Sequence, residues 1–114
     1  MKVKNNYNEC LTNLACSIRK YFGLDYKHNT LSYIDELLEL KKPKNVVTIL
    51  CDGMGSKIIE RVLDENTFLI SNKYKDITTV FPATTVAATT SIMTGLNPVE
   101  SGMLGWDMYF KDID

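Results

Sequence analysis

Two places in the 114-residue sequence join a reactive or metal-binding side chain to residues able to present it. Asp52 closes the apolar run Val46-Val47-Thr48-Ile49-Leu50-Cys51 and precedes Gly53-Met54-Gly55. A carboxylate there can reach a cation, because the glycines allow a tight turn and close approach. The same residues also suit an Asp-Gly turn with a helix-capping carboxylate, the commoner use of such a pair. Thr84 and Thr85 follow Phe81-Pro82-Ala83 and open a run of small residues that reaches Gly95. A hydroxyl at a helix start lies beside free N–H groups and the positive end of the dipole, which favour a phosphate oxyanion. As a nucleophile it needs a neighbouring base or a metal that stabilises the alkoxide. As an N-cap it needs neither, and threonine caps are common.

Other patterns carry less. Gly53-Met54-Gly55 lacks the third glycine of a dinucleotide loop, since position 58 is Ile58. Gly55-Ser56-Lys57 has P-loop residue types without the P-loop spacing. His28, the single histidine, falls in a polar loop at residues 25–29 and is expected to be solvated. Cys10, Cys16 and Cys51 are an odd number with no CxxC pair, which points to a reducing compartment. Cys51 is expected to pack as a small hydrophobe. Trp106 and Tyr109 could line a pocket or simply pack.

The elements that must position Asp52 and Thr85 follow from periodicity. Leu11, Leu14, Ala15, Ile18 and Phe22 fall at helical spacing, with Gly23 as a stop. Leu31, Ile34, Leu37 and Leu38 predict a second amphipathic helix, with Thr30 as N-cap and Lys41 and Lys42 suiting its C-terminus. Residues 46–51 are rich in β-branched side chains without alternation, the pattern of a strand buried on both faces. A short helix is predicted over residues 56–63, a strand over 77–81 ended by Pro82, and a helix over 85–94 stopped by Gly95. A third strand is expected near residues 108–110. Strand, helix, strand, helix is most simply solved by an α/β fold with a parallel sheet. In such folds ligands gather at the carboxyl ends of strands, where Asp52 and Thr84-Thr85 fall. Residues 1–44 read as an N-terminal helical segment and 45–114 as part of an α/β domain.

Charge removes several function classes. Thirteen basic and fourteen acidic residues leave a net charge of −1, so no basic excess exists for a nucleic acid or an anionic membrane. No stretch approaches the ~18 apolar residues of a membrane span, and residues 1–10 lack a signal-peptide core. The expected location is cytoplasmic.

Taken together, these residues resemble the alkaline phosphatase superfamily, in its type I phosphodiesterase/nucleotide pyrophosphatase branch. The resemblance runs over residues 45–110. It rests on Val47-Thr48-Ile49-Leu50-Cys51-Asp52-Gly53, then Phe81-Pro82-Ala83-Thr84-Thr85, then Thr94-Gly95-Leu96-Asn97-Pro98 and Gly102. It implies a mostly parallel sheet sandwiched by helices, preceded here by two N-terminal helices, with two zinc ions at the strand ends. Asp52 is similar to the family's first metal-binding aspartate. Thr85 aligns with the threonine nucleophile that also ligates zinc, Thr84 being the other register. The implied chemistry is attack by that threonine on phosphorus, then hydrolysis of the phosphothreonine. Ser101 stands where many relatives carry a histidine before the glycine, and no sulfatase-type Cys/Ser-x-Pro-x-Arg segment is present.

The ligand count departs further. A two-zinc site takes about three protein ligands per metal, and the resemblance supplies only Asp52 and Thr85. The expectation is an N-terminal fragment of a zinc-dependent phosphodiesterase, its metal site incomplete and the chain alone inactive. Its full-length form would act on a phosphate-ester or nucleotide-like small molecule. The alternative is an inactive family remnant that serves as a small binding module. An unpaired sheet edge would invite self-association.

Overall fold

The computed structural model describes residues 5–111. Among them the chain forms helices α1 (Leu11–Tyr21), α2 (Ser32–Lys41), α3 (Ser56–Val62), α4 (Phe68–Ser71), α5 (Thr85–Thr94) and α6 (Pro98–Ser101). Helix α1 begins where the Cys10 N–H donates to Asn13 Oδ1 at 2.9 Å, satisfying one donor that the helix leaves open. Arg19 and Lys20 lie in its last turn, where cations suit the dipole. Its most buried residues are small or polar: Thr12, Asn13, Ala15, Cys16 and Ser17. The larger Leu11, Leu14 and Ile18 are only half-buried.

Small side chains let two helices approach α1 closely. Ser17 Oγ accepts the Leu31 N–H at 2.8 Å in a buried bond and Asn13 Nδ2 donates to the Asn29 carbonyl at 2.8 Å in a part-buried one, and together they hold the link into α2. Lys20 and Asp35 pair at 2.6 Å on the outer side of the α1–α2 contact. Helix α5 packs on another part of α1. Cys10, Val80 and Ala87 form one buried cluster at the start of the two helices. At the far end the Cys16 thiol lies 3.6 Å from the Gly95 carbonyl, so α1 and α5 run in the same direction. Gly95 has φ +72°, and a Cβ there would stand 3.1 Å from Arg19 Cδ and 3.5 Å from Cys16 Sγ. Only glycine meets both demands, a left-handed backbone and a neighbouring helix at contact.

The expected α/β fold is corrected: among the described residues there is no strand and no sheet. Residues 46–51 run as irregular chain without a backbone hydrogen bond to another segment among the described residues. Val47 and Ile49 are 82% and 81% exposed, the opposite of a strand buried on both faces. Cys51 is exposed too, not packed as expected. The physical reason lies in pairing. A β-branched composition supplies propensity, but a strand exists only with a neighbour to complete its ladder. The other candidate, residues 77–81, is engaged by the N-terminal chain instead. Thr78 N–H donates to the Glu9 carbonyl at 2.9 Å and Leu11 N–H to the Thr78 carbonyl at 3.1 Å, an isolated parallel bridge between Cys10 and Thr78. The Tyr7 hydroxyl, accepting the Phe81 N–H at 3.2 Å, continues that contact. Residues 108–110 form no strand either, so the expected sheet edge is absent.

The helices follow their sequence signals more closely. Residues 85–94 are helical as expected, with Gly95 as the left-handed cap. Helix α2 begins after Leu31 rather than Thr30, because the Thr30 hydroxyl donates to Asp35 Oδ2 at 2.7 Å and leaves the backbone uncapped. Lys73 ties α3 to the following loop through ion pairs with Glu60 and Asp76. Among the described residues no helix is long and apolar enough to cross a membrane.

Candidate functional site

Asp52 leaves the irregular 46–51 segment at a turn in which Gly53 has φ +64°, a backbone state that glycine adopts without strain. The turn projects the carboxylate toward the start of α5. There the two threonines divide the roles that the sequence leaves open. Thr84 is the N-cap: its Oγ1 accepts the Ala87 N–H at 3.2 Å and donates to the Leu104 carbonyl at 2.8 Å. Thr85 is the first helical residue, and its hydroxyl is therefore free of capping. It donates to Asp52 Oδ2 at 3.4 Å, across 33 positions of sequence.

The surroundings suit an anion held beside a cation. Asp52 makes no ion pair among the described residues, and its carboxylate faces solvent. The N–H groups of Thr85 and Val86 have no backbone partner among the described residues, since the first bond of the helix is Ala88 N–H to the Thr84 carbonyl. A cavity of about 490 Å³ opens at this helix start, lined by Asp52, Gly53, Gly55, Thr79, Thr84 and Thr85 among others. Its floor thus combines a carboxylate, hydroxyls and the N-terminus of a ten-residue helix.

The donor set can be tested against zinc by its spacing. Two oxygens on one tetrahedral zinc, each about 2.1 Å from the metal, stand about 3.4 Å apart. The Asp52 and Thr85 oxygens are 3.4 Å apart, so they fit one edge of such a tetrahedron. They do not complete it: among the described residues no group of three His, Cys, Asp or Glu side chains comes together.

The remaining sequence candidates lie elsewhere. His28 is half-buried, and its Nε2 lies 2.5 Å from Glu100 Oε2, which corrects the expectation of a solvated ring. That pairing joins residues 72 positions apart, so no local pattern announces it. Ser101 ends α6, its hydroxyl donating to the Pro98 carbonyl at 3.3 Å, and Gly102 caps the helix with φ +72°. Trp106 is exposed and does not line the cavity. The signal that could have separated Thr84 from Thr85 is the capping offset: an N-cap oxygen reaches the N–H two or three residues on, and Thr84 meets Ala87.

Comparison with protein families gives a match to the family model of type I phosphodiesterase/nucleotide pyrophosphatase over residues 46–114. The matched region contains both Asp52 and Thr85. No curated protein and no solved structure matches the chain. With its matched segment running from the 46–51 segment through the Asp52 turn and α5 to its last residue, the chain belongs to the type I phosphodiesterase/nucleotide pyrophosphatase family.

Proposed function

We propose that Asp52 and Thr85 are metal-binding and nucleophilic groups of a zinc-dependent phosphoester hydrolase acting on a phosphate-ester or nucleotide-like small molecule. The observation that carries this reading is the 3.4 Å approach of the Asp52 carboxylate to an uncapped Thr85 hydroxyl at a helix N-terminus. Bound zinc would supply Lewis-acid stabilisation of the Thr85 alkoxide and of a phosphate oxygen. The chain's own residues do the rest. Thr84 holds the helix start, so the Thr85 and Val86 N–H groups can receive a non-bridging oxygen of the substrate. Thr85 Oγ1 gives its proton to water and forms a bond to phosphorus as the bond to the leaving alcohol breaks, and the leaving oxygen takes a proton back from water. Water then cleaves the phosphothreonine and restores the hydroxyl.

Two donors are about a third of what a two-zinc site takes. We therefore infer that the chain by itself binds zinc weakly and turns over little. A second reading, a binding module without turnover, is favoured by the same finding that no third metal-binding side chain joins the pair among the described residues.

Zinc titration followed by amide NMR tests the site. Shifts centred on Asp52, Gly53 and Thr85, lost in Asp52→Asn, are the expected result. Binding that is unchanged in both Asp52→Asn and Thr85→Ala overturns the assignment, and tight uptake of two zinc ions per chain overturns the ligand count. Hydrolysis of a chromogenic phosphodiester separates the two readings. Any turnover must vanish in Thr85→Ala if Thr85 is the nucleophile, and its absence under saturating zinc favours the binding module.

A further inference from the structure

The chain's only histidine is placed where a proton can alter tertiary contacts. His28 sits in the 25–29 connection between α1 and α2, with Nε2 at 2.5 Å from Glu100 Oε2 in α6. Glu100 Oε1 pairs with Lys27 Nζ at 2.6 Å, and Oε2 also accepts the Asn97 N–H at 2.8 Å. Lys27 foremost, then the Asn97 N–H and, against the opposing effect of burial, His28 hold this carboxyl down to about 2. It is therefore an anion near neutrality and can only accept hydrogen bonds. The neutral ring must then donate from Nε2, and a second proton enters at Nδ1. With Glu100 already charged, imidazolium turns the hydrogen bond into an ion pair with both partners ionised.

The segment that His28 holds leads to the candidate site. Helix α6 packs on α5. Three residues beyond its end, the Leu104 carbonyl takes the Thr84 hydroxyl at 2.8 Å, and Thr84 caps the helix that carries Thr85. Residues 97–104 are thus held by His28 at one end and by Thr84 at the other. The charged groups facing the ring are Glu100 from α6 and Lys27 from its own loop, and Asn97 Nδ2 lies 3.4 Å from Nε2. From α1, Arg19 is directed to the Asp25 carbonyl at 2.7 Å.

We propose that His28 and Glu100 form a proton-controlled latch: protonation of the imidazole tightens the hold of the 25–29 loop on α6 and, through the Leu104–Thr84 hydrogen bond, the setting of the Thr85 helix start. Glu100 keeps its charge, so the latch answers to the proton on the ring. It is tight when the imidazole is protonated and slackens when it is neutral.

Amide and ring NMR of the whole chain, followed from about pH 5.5 to 8, the window in which imidazoles in general change charge, reads the latch directly. The amides of residues 97–104 and of Thr84 and Thr85 should shift with the midpoint of the His28 ring. In Glu100→Gln the ring should still titrate while those amides no longer follow it, and in His28→Gln the shifts should be lost. Still amides in the unaltered chain while the ring titrates overturn the latch. Movement confined to residues 97–101 overturns the link to Thr84, and shifts that persist in His28→Gln assign the response to another group.

Discussion

The Asp52 carboxylate accepts the Thr85 hydroxyl at 3.4 Å, so residues 33 positions apart share the mouth of one cavity. The bond is long and solvent-facing, and such contacts add little to folding. Asp52→Asn, at an exposed position, should change unfolding free energy by less than about 0.5 kcal/mol, and Thr85→Ala, at a half-buried one, by no more than about 1 kcal/mol. Zinc affinity should fall at least about tenfold in either, the scale of one lost ligand interaction of ~1.4 kcal/mol or more. Urea unfolding beside a zinc titration checks the split. A large stability loss would make the pair structural.

Thr84 should behave in the opposite way. Its Oγ1 caps α5 and also reaches the Leu104 carbonyl. Thr84→Ala should cost about 1–2 kcal/mol, the range for removing a threonine cap, and Thr84→Ser should recover most of it. Denaturant midpoints of the adjacent Thr84 and Thr85 variants compare a capping hydroxyl with a non-capping one a single residue away.

Gly95 is where α5 meets α1 most closely. Gly95→Ala places a methyl 3.1 Å from Arg19 Cδ at φ +72°, whereas Gly53→Ala meets no atom within 4 Å at φ +64°. Both substitutions carry the left-handed penalty of about 1 kcal/mol. Gly95→Ala should cost about 1 kcal/mol more, as overpacking of a close contact does. Equal losses would show that Arg19 swings away freely.

These contrasts mark what the sequence could convey. Helix α5 was legible at both ends, because Thr84 and Gly95 are local punctuation and act over a few residues. Asp52 and Thr85 stand out in the sequence by residue type and order, both at expected strand ends. The structure brings them together instead through a glycine turn set against a helix start. The sheet failed as an expectation because pairing is non-local. Nothing within residues 46–51 specifies a partner, and the N-terminal chain at Cys10 occupies Thr78. His28–Glu100 was invisible for the same reason, each residue looking like an ordinary surface group in its own window.

The irregular 46–51 segment gives a direct test of that correction. Val47 and Ile49 are more than four-fifths exposed, so they bury almost no apolar surface. Replacing both by Thr should leave stability within about 0.5 kcal/mol. A pair of β-branched residues buried in a sheet would instead cost several kcal/mol, at roughly 1.5–3 kcal/mol for each fully buried side chain. Thermal or urea unfolding of the double variant distinguishes the two outcomes.

Glu100 sets the acid limit of the α6 contact. Its carboxyl is held down from the ordinary 4.5 to about 2, with Lys27 and the Asn97 N–H as the leading causes. A depressed carboxyl adds stability that is fully present above its unfolded value and is lost as pH falls through the folded one. The contribution should therefore be whole above pH 4.5 and should disappear between there and about 2. The full shift would correspond to about 3 kcal/mol, but the side chain is 20% exposed and Lys27 is 65% exposed. Screening reduces the expected effect to about 1–2 kcal/mol. Glu100→Gln should be less stable than the unaltered chain by that amount at pH 6, a gap that closes as the pH approaches about 2. A gap that stays constant with pH would mean that the side chain contributes by packing and capping alone, without its charge.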